Sequence, residues 1–171
     1  MLNKKFFIFG LVLIFVGVII LSNRYRSNIQ VISPLPSFLP FSPNFTYAKV
    51  TRVIDGDTIE IEDGQKVRYI GVDTSEIYPK IECYSEEAKK ENENLVLGRT
   101  VKLEKDVSET DKYSRLLRYV YLDNEFINDE LVKTGFAKVE TVPPDIKYKS
   151  EFLESENYAK ENKLGLWSKC F

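Results

Sequence analysis

Five residues, Thr58-Ile59-Glu60-Ile61-Glu62, alternate cleanly between a polar and an apolar face, and Asp63-Gly64 follows at once. Period-two alternation describes a strand buried on one side only, and Asp-Gly is turn chemistry for a tight hairpin. Lys66–Val72 then reads as the returning strand. The hairpin therefore commits this part of the chain to an antiparallel meander.

Extending outward, Tyr47–Ile54 is β-prone and ends at the turn Asp55-Gly56-Asp57. Residues 74–84 form a loop containing Pro79. Ser85 reads as an N-cap, with Glu86 and Glu87 in a first turn where the helix dipole favours acid, and that helix ends near Gly98. Arg99–Lys105 and Leu116–Leu122 read as two more strands. Asn128 is placed as the cap of a short helix to Gly135, and Ser150 as the cap of a last helix ending near Leu164-Gly165. Three meandering strands, a helix, two strands and two helices predict an α+β domain over 45–171. Its core is a five-stranded, partly open OB-type β-barrel carrying three helices.

The N-terminal quarter has a different character. Phe6 to Leu21 is apolar apart from two glycines, with Lys4 and Lys5 before it and Arg24 and Arg26 after it. Residues 1–22 read as a transmembrane signal anchor, or as a cleaved signal peptide. Bulky Val18, Ile19, Ile20 and Leu21 stand where a small-residue cleavage site would be, which favours the anchor. A buried soluble helix is the third reading. The short basic N-terminus favours an inside start, which exports the rest. Residues 23–44 are rich in Pro and Ser and suit a semi-extended tether between membrane and domain.

Composition excludes several chemistries. The chain contains no histidine, which removes Ser-His-Asp and Cys-His catalysis and any histidine zinc site. Two cysteines cannot form a four-cysteine zinc site. A metal here is expected to be a hard cation held by oxygen. Residues 47–171 carry 20 basic against 26 acidic residues, a net of −6. That balance counts against a broadly basic nucleic-acid footprint. Polyanion chemistry in this domain would need a metal and locally placed arginines.

Such groups occur at the turns. Asp57 and Asp73 lie on either side of the predicted hairpin, so two turns can meet at one end of a sheet. Two carboxylates and a backbone carbonyl suit a weak calcium site, and weak sites work where calcium is millimolar. Taken singly, each aspartate is also ordinary turn or capping chemistry. Asp55 carries the same turn reading and stands outside the direct ligand set. Glu76, three residues after Asp73, can orient or deprotonate a water, or can be a solvated loop residue. Arg68 falls on an apolar strand face shared with Ile70 and Val72, where it needs an anionic partner, either carboxylate or phosphate. Arg115 opens the fifth strand and by itself reads as a surface arginine. Carboxylates for a metal, one acid left as a base and two guanidiniums together fit phosphodiester hydrolysis.

In their order and spacing, Ile54-Asp55-Gly56-Asp57-Thr58, Val67-Arg68, Val72-Asp73-Thr74-Ser75-Glu76, Asp111-Lys112-Tyr113-Ser114-Arg115 and Gly165-Leu166-Trp167 resemble the thermonuclease, or staphylococcal-nuclease-like, family. The resemblance covers Lys49 to Trp167. It implies that Asp57, Asp73 and the Thr74 carbonyl bind calcium and that Glu76 promotes attack by water. Arg68 and Arg115 would neutralise charge on the phosphoryl oxygens, and Tyr113 would touch the substrate phosphate. It implies a calcium-dependent nuclease acting on DNA and RNA with little sequence preference, leaving 3′-phosphate ends and working as a monomer. Three positions depart from the family pattern. Ser75 replaces a proline. Ser114 replaces a frequent glycine, which is tolerated if its φ is negative. Glu140-Thr141-Val142-Pro143-Pro144 stands where base-stacking tyrosines are expected.

Cys83 and Cys170 invite one disulfide in an exported domain, as in some exported relatives, with two free thiols as the alternative. Two rival functions are a catalytically silent OB-type module that binds nucleic acid or protein, and a calcium-stabilised adhesion domain.

Overall fold

A computed structural model describes residues 44–171. The expected anchor or signal segment, and all of the linker except Asn44, lie outside the described residues. Among the described residues no helix is long and apolar enough to cross a membrane.

Strands β1 (Phe45–Val53), β2 (Thr58–Ile61) and β3 (Lys66–Tyr69) form the antiparallel meander. Helix α1 (Ser85–Val96) leads to β5 (Thr100–Glu104) and β6 (Leu116–Leu122), with the two-residue β4 (Val72–Asp73) before it. β1 pairs with β5 along its other edge, and β5 pairs with β6. The barrel closes where β3 and β6 run parallel, with Val67 opposite Leu116 and Arg68 opposite Leu117. Five strands thus form a closed barrel of the expected OB type. A further strand β7 (Glu125–Phe126) extends β6, and helix α2 (Ile127–Lys133) follows. β8 (Lys138–Val139) pairs with β4, outside the barrel. Helix α3 (Lys149–Glu161) and the single-turn α4 (Leu166–Lys169) complete the chain.

The inward faces of the meander supply Val50, Val53, Ile59, Ile61, Val67 and Tyr69 to a core shared with Val101, Leu103, Val120, Leu131 and Phe152. Each buried Val, Ile, Leu or Phe contributes on the order of 1.5–3 kcal/mol by leaving water.

Four local expectations are corrected. Lys66–Val72 is not one strand. Ile70-Gly71 breaks it into β3 and β4, with Gly71 at φ 82°, and a Cβ there would strike the Phe152 ring. Tight packing of Phe152 on this bend, rather than strand periodicity, decides the backbone, so Arg68 does not share a regular face with Ile70 and Val72. Ser85 is the first helical residue and not the cap. Tyr84 holds the cap position, and Ser85 Oγ donates to the Glu82 carbonyl at 2.8 Å. Asn128 is buried inside α2. Its Nδ2 donates to the Ile70 carbonyl at 2.9 Å and its Oδ1 accepts the Val120 N–H at 2.8 Å, which locks the helix to the β3–β4 bend and to β6. Ser150 likewise lies within its helix, and Tyr148 takes the cap position.

The chain that borders the cleft is held from below. The Glu104 carboxylate, almost fully buried, accepts Tyr121 Oη at 3.0 Å and Tyr148 Oη at 3.1 Å and pairs with Lys147. Asp145 accepts the Val107 and Ser108 N–H groups at 2.9 and 2.8 Å. Cys83 and Cys170 are joined in a disulfide, with Cα atoms 5.9 Å apart.

Candidate active site

The β1–β2 turn is ordered by its own carboxylates. Asp55 Oδ1 accepts the Asp57 N–H at 3.2 Å, and the Asp55 carbonyl accepts Nδ2 of Asn92 from α1 at 3.2 Å. Asn92 also accepts the buried Tyr69 hydroxyl at 2.9 Å. One asparagine on the helix therefore fixes the turn and the end of β3. Nothing in the sequence marks Asn92 for this role. It lies among surface-type helical residues, and its partner is a backbone carbonyl.

Asp57 points inward and is buried. Its Oδ2 accepts the Thr74 N–H at 2.8 Å and the Thr74 hydroxyl at 3.1 Å, and its Oδ1 accepts Thr58 Oγ1 at 3.1 Å and pairs with Arg68 Nη1. The two turns expected to meet do so, through this carboxylate. Gly56 is required at the meeting point, because a Cβ on it would lie 2.7 Å from Thr74 Cγ2 and Oγ1.

Arg68 is the hub. Its side chain is only 13% exposed, and Nη2 lies 3.0 Å from Asp73 Oδ1 and 3.2 Å from Glu140 Oε2. Three carboxylates compensate one desolvated guanidinium, which satisfies the demand that a cation on this strand makes. Asp57 and Asp73 were legible candidates. In the sequence Glu140 stands out only as a departure from a tyrosine pattern, and its approach to Arg68 depends on the β4–β8 pairing.

Arg115 is placed by the 111–115 turn. Asp111 Oδ1 accepts the Tyr113 and Arg115 N–H groups at 2.8 and 3.0 Å, and its Oδ2 accepts Arg115 Nε at 2.7 Å. Burial alone would raise the Asp111 carboxyl, but these bonds outweigh it and hold the group below the usual range. Ser114 closes the turn at φ 63°, the left-handed conformation, contrary to the negative φ expected of a tolerated serine. Arg115 Nη1 reaches Thr58 Oγ1 at 3.5 Å, so Thr58 stands between Arg115 and Asp57. The Tyr113 ring, 68% exposed, packs against the Arg115 guanidinium with 5.5 Å to the ring centroid. Arg68, Arg115, Tyr113, Glu140 and Val142 line one cleft of about 450 Å³.

Glu76 is exposed and less constrained. Its N–H donates to Glu82 Oε2 and its carbonyl accepts the Glu82 N–H, both at 3.0 Å. Partial burial raises its carboxyl first, and Asp55, Asp73 and Glu82 add to the rise, with Arg68 opposing. The Asp55 carboxyl is raised by burial, opposed by the Thr58 bonds and by both Arg68 and Arg115. Asp57, Asp73, Thr74 and Arg68 are therefore in direct contact. Arg115 joins them through Thr58, and Glu76 is coupled to them only electrostatically.

The groups that the family resemblance assigns to a cation, the carboxylates of Asp57 and Asp73 and the Thr74 carbonyl, would all present oxygen. Among the described residues, no three His, Cys, Asp or Glu side chains cluster closely enough to hold a metal by themselves. The donor set fits a hard cation in a weak site completed by water, and it does not fit zinc.

A closed five-stranded barrel, with carboxylates and guanidiniums gathered at one cleft, defines an OB-type domain. A family model described as staphylococcal nuclease homologue matches residues 66–169. Thermonuclease from Staphylococcus hyicus is 34% identical over 165 residues, covering 93% of this chain and 96% of that protein. Endonuclease YncB from Bacillus subtilis is 44% identical over 126 residues, covering 69% of this chain and 60% of the relative. Thermonuclease from Staphylococcus intermedius is 39% identical over 126 residues, covering 70% and 75%. The chain belongs to the staphylococcal nuclease family and is a hydrolase of the nuclease class.

Proposed function

We propose that this protein is a calcium-dependent endonuclease that hydrolyses DNA and RNA phosphodiesters with little sequence preference and leaves 3′-phosphate ends. The observation that carries this reading is the convergence on Arg68 of Asp57 and Asp73, with Arg115 one threonine away. Asp57, Asp73 and the Thr74 carbonyl would hold the calcium. When bound, it would supply positive charge next to the phosphoryl oxygens.

The protein's own groups divide the remaining work. Arg68 would offer a planar pair of N–H donors to a phosphate. Arg115, preset by Asp111, offers a second guanidinium to the charge that grows as water attacks phosphorus. Glu76 takes the proton from that water. The new bond joins the water oxygen to phosphorus, the P–O5′ bond breaks, O5′ leaves on the downstream fragment and takes a proton from solvent to become a hydroxyl, and the 3′-phosphate stays on the upstream fragment. Tyr113 lies against Arg115 and is placed to contact the same phosphate. No base-stacking ring is assigned to residues 140–144, and the reading carries no base preference.

We also read the domain as an exported monomer, tethered by residues 1–22 if that segment is retained. The Cys83–Cys170 disulfide supports an oxidising compartment, and a weak calcium site suits millimolar calcium.

The test is incubation of the purified protein with single-stranded DNA and RNA, with calcium and then with a chelator. Calcium-dependent cleavage at pH between about 7 and about 10, where a carboxylate base is ionised, is expected. Its absence overturns the enzyme assignment. Fragments that prime a polymerase without prior phosphatase treatment would overturn the 3′-phosphate assignment.

A further inference from the structure

We infer that Glu140 is an affinity-setting residue: its carboxylate occupies Arg68 as a phosphate would, and a substrate must displace it to bind. This rests on the nuclease reading above, and it concerns a residue that reading does not use.

Three observations carry it. First, Glu140 does not owe its position to the ion pair. Its backbone N–H donates to the Gly71 carbonyl at 3.0 Å, continuing the ladder in which Val139 faces Val72 and Lys138 faces Asp73. The backbone therefore presents the carboxylate to Arg68. Second, the three acids on Arg68 are not equivalent. Asp57 is buried and held by Thr58 and Thr74, and Asp57 and Asp73 are both candidate cation ligands. Glu140, with 51% of its side chain exposed, has Arg68 as its sole side-chain partner among the described residues. Of the three acids, Glu140 is the one outside the set that would hold a cation and outside the Thr58 and Thr74 hydrogen bonds. Third, Glu140 and Arg68 line the same cleft together with Arg115 and Tyr113. The carboxylate thus stands on the route by which a phosphate reaches both guanidiniums.

Glu140 holds Arg68 through a single contact, Oε2 to Nη2 at 3.2 Å, and a phosphate that takes the guanidinium through two parallel N–H···O bonds including Nη2 must displace it. The competing pair is partly exposed and therefore modest in strength, which makes displacement feasible for each arriving phosphate. The consequence is a higher KM. In the turnover state Glu140 is off Arg68, so its removal acts mainly on KM and little on the chemical step.

The experiment compares wild type, Glu140→Gln, Glu154→Gln as a distant charge control, Arg68→Gln and the Arg68→Gln/Glu140→Gln double variant. The full chain is used throughout, with calcium present. Phenyl phosphate serves as a phosphate monoester that carries no base, and its Kd is measured by calorimetry. KM and kcat are measured on single-stranded DNA. Glu140→Gln is expected to lower the Kd for phenyl phosphate and the KM by about threefold to fivefold, the range of a partly exposed ion pair. Glu154→Gln should leave both unchanged, and the gain should vanish when Arg68 is absent. Unchanged or weaker phosphate binding in Glu140→Gln overturns the inference, as does an equal gain in Glu154→Gln or one that survives loss of Arg68. Cleavage by every chain with an intact Arg68 but no gain in affinity refutes the Glu140 role alone. Tighter phosphate binding with no cleavage by any chain refutes the nuclease reading and leaves the Glu140 role standing.

Discussion

Asp57 Oδ2 accepts both the backbone N–H and the hydroxyl of Thr74, at 2.8 and 3.1 Å, so the two acidic turns form one rigid unit. Gly56 makes that approach feasible. Gly56→Ala is expected to push Thr74 away from Asp57 and to lower calcium-dependent cleavage by at least about tenfold, since small misplacements at a reacting centre are costly. Calorimetric calcium titration together with rates on single-stranded DNA checks it. Wild-type affinity and rate in this variant would show that the contact with Thr74 does not govern the site.

Asn128 connects α2 to two strands from a fully buried position. Asn128→Ala leaves the Val120 N–H and the Ile70 carbonyl without partners. A loss of about 2–6 kcal/mol is expected, at about 1–3 kcal/mol for each of the two orphaned groups. Urea unfolding measures it, and a loss under about 1 kcal/mol would mean that water replaces the side chain.

The disulfide spans 87 residues and holds Cys83, next to Glu82, which in turn holds the Glu76 backbone. In the chain-entropy account, closing such a loop contributes up to about 4.6 kcal/mol. The Cys83→Ser/Cys170→Ser variant is expected to unfold at markedly lower urea and to lose kcat more than KM. Wild-type kcat in the folded double variant would show that the crosslink acts on stability alone.

Asp145 joins the 105–108 segment to the cleft border. Burial by itself would raise its carboxyl, but the bonds from Ser108 and Val107 and the charge of Lys105 prevail and lower it from the usual 3.8. A lowered folded-state value means that the stabilisation is fully present above pH 3.8 and is lost as pH falls through the folded value. Asp145→Ala should therefore be less stable than wild type at neutral pH, by about 1–3 kcal/mol. The gap should close at low pH. Urea midpoints for both proteins across pH 2–7 test the sign, and a gap that widens on acidification contradicts it.

Ser114 holds a left-handed backbone that costs a side-chain-bearing residue about 1–2 kcal/mol. Ser114→Gly relieves this but gives the unfolded chain more freedom, so a net gain of up to about 1 kcal/mol is expected. Thermal unfolding reads it directly. A destabilised variant would mean that Ser114 makes a contact stronger than the strain it bears.

What the sequence made legible was whatever depends on short-range pattern. Alternation at residues 58–62 with Asp63-Gly64 announced the hairpin. The placement of Asp57 and Asp73 on either side of that hairpin announced that their two turns meet. The failures share one cause, that long-range packing overrides local preference. Lys66–Val72 reads as continuous strand on the strength of β-prone Val67, Tyr69, Ile70 and Val72, yet Phe152, some eighty residues on, packs against the bend at Gly71. Asn128 and Ser85 carry capping side chains, but a buried carbonyl and a neighbouring turn claimed them instead. Glu140 could not be matched to Arg68 because β4 and β8 are two residues each and carry no periodicity to detect.

The parallel seam of the barrel has a kinetic consequence. Arg68 lies inside β3 and Arg115 immediately precedes β6, so the two guanidiniums become neighbours only when residues 67–69 dock beside 116–118. Contacts of such wide sequence separation form late, after shorter loops have closed. Half-folded chains emerging from the ribosome would thus lack a second arginine at the cleft. Recovery of cleavage during refolding should lag recovery of secondary structure and coincide with barrel closure.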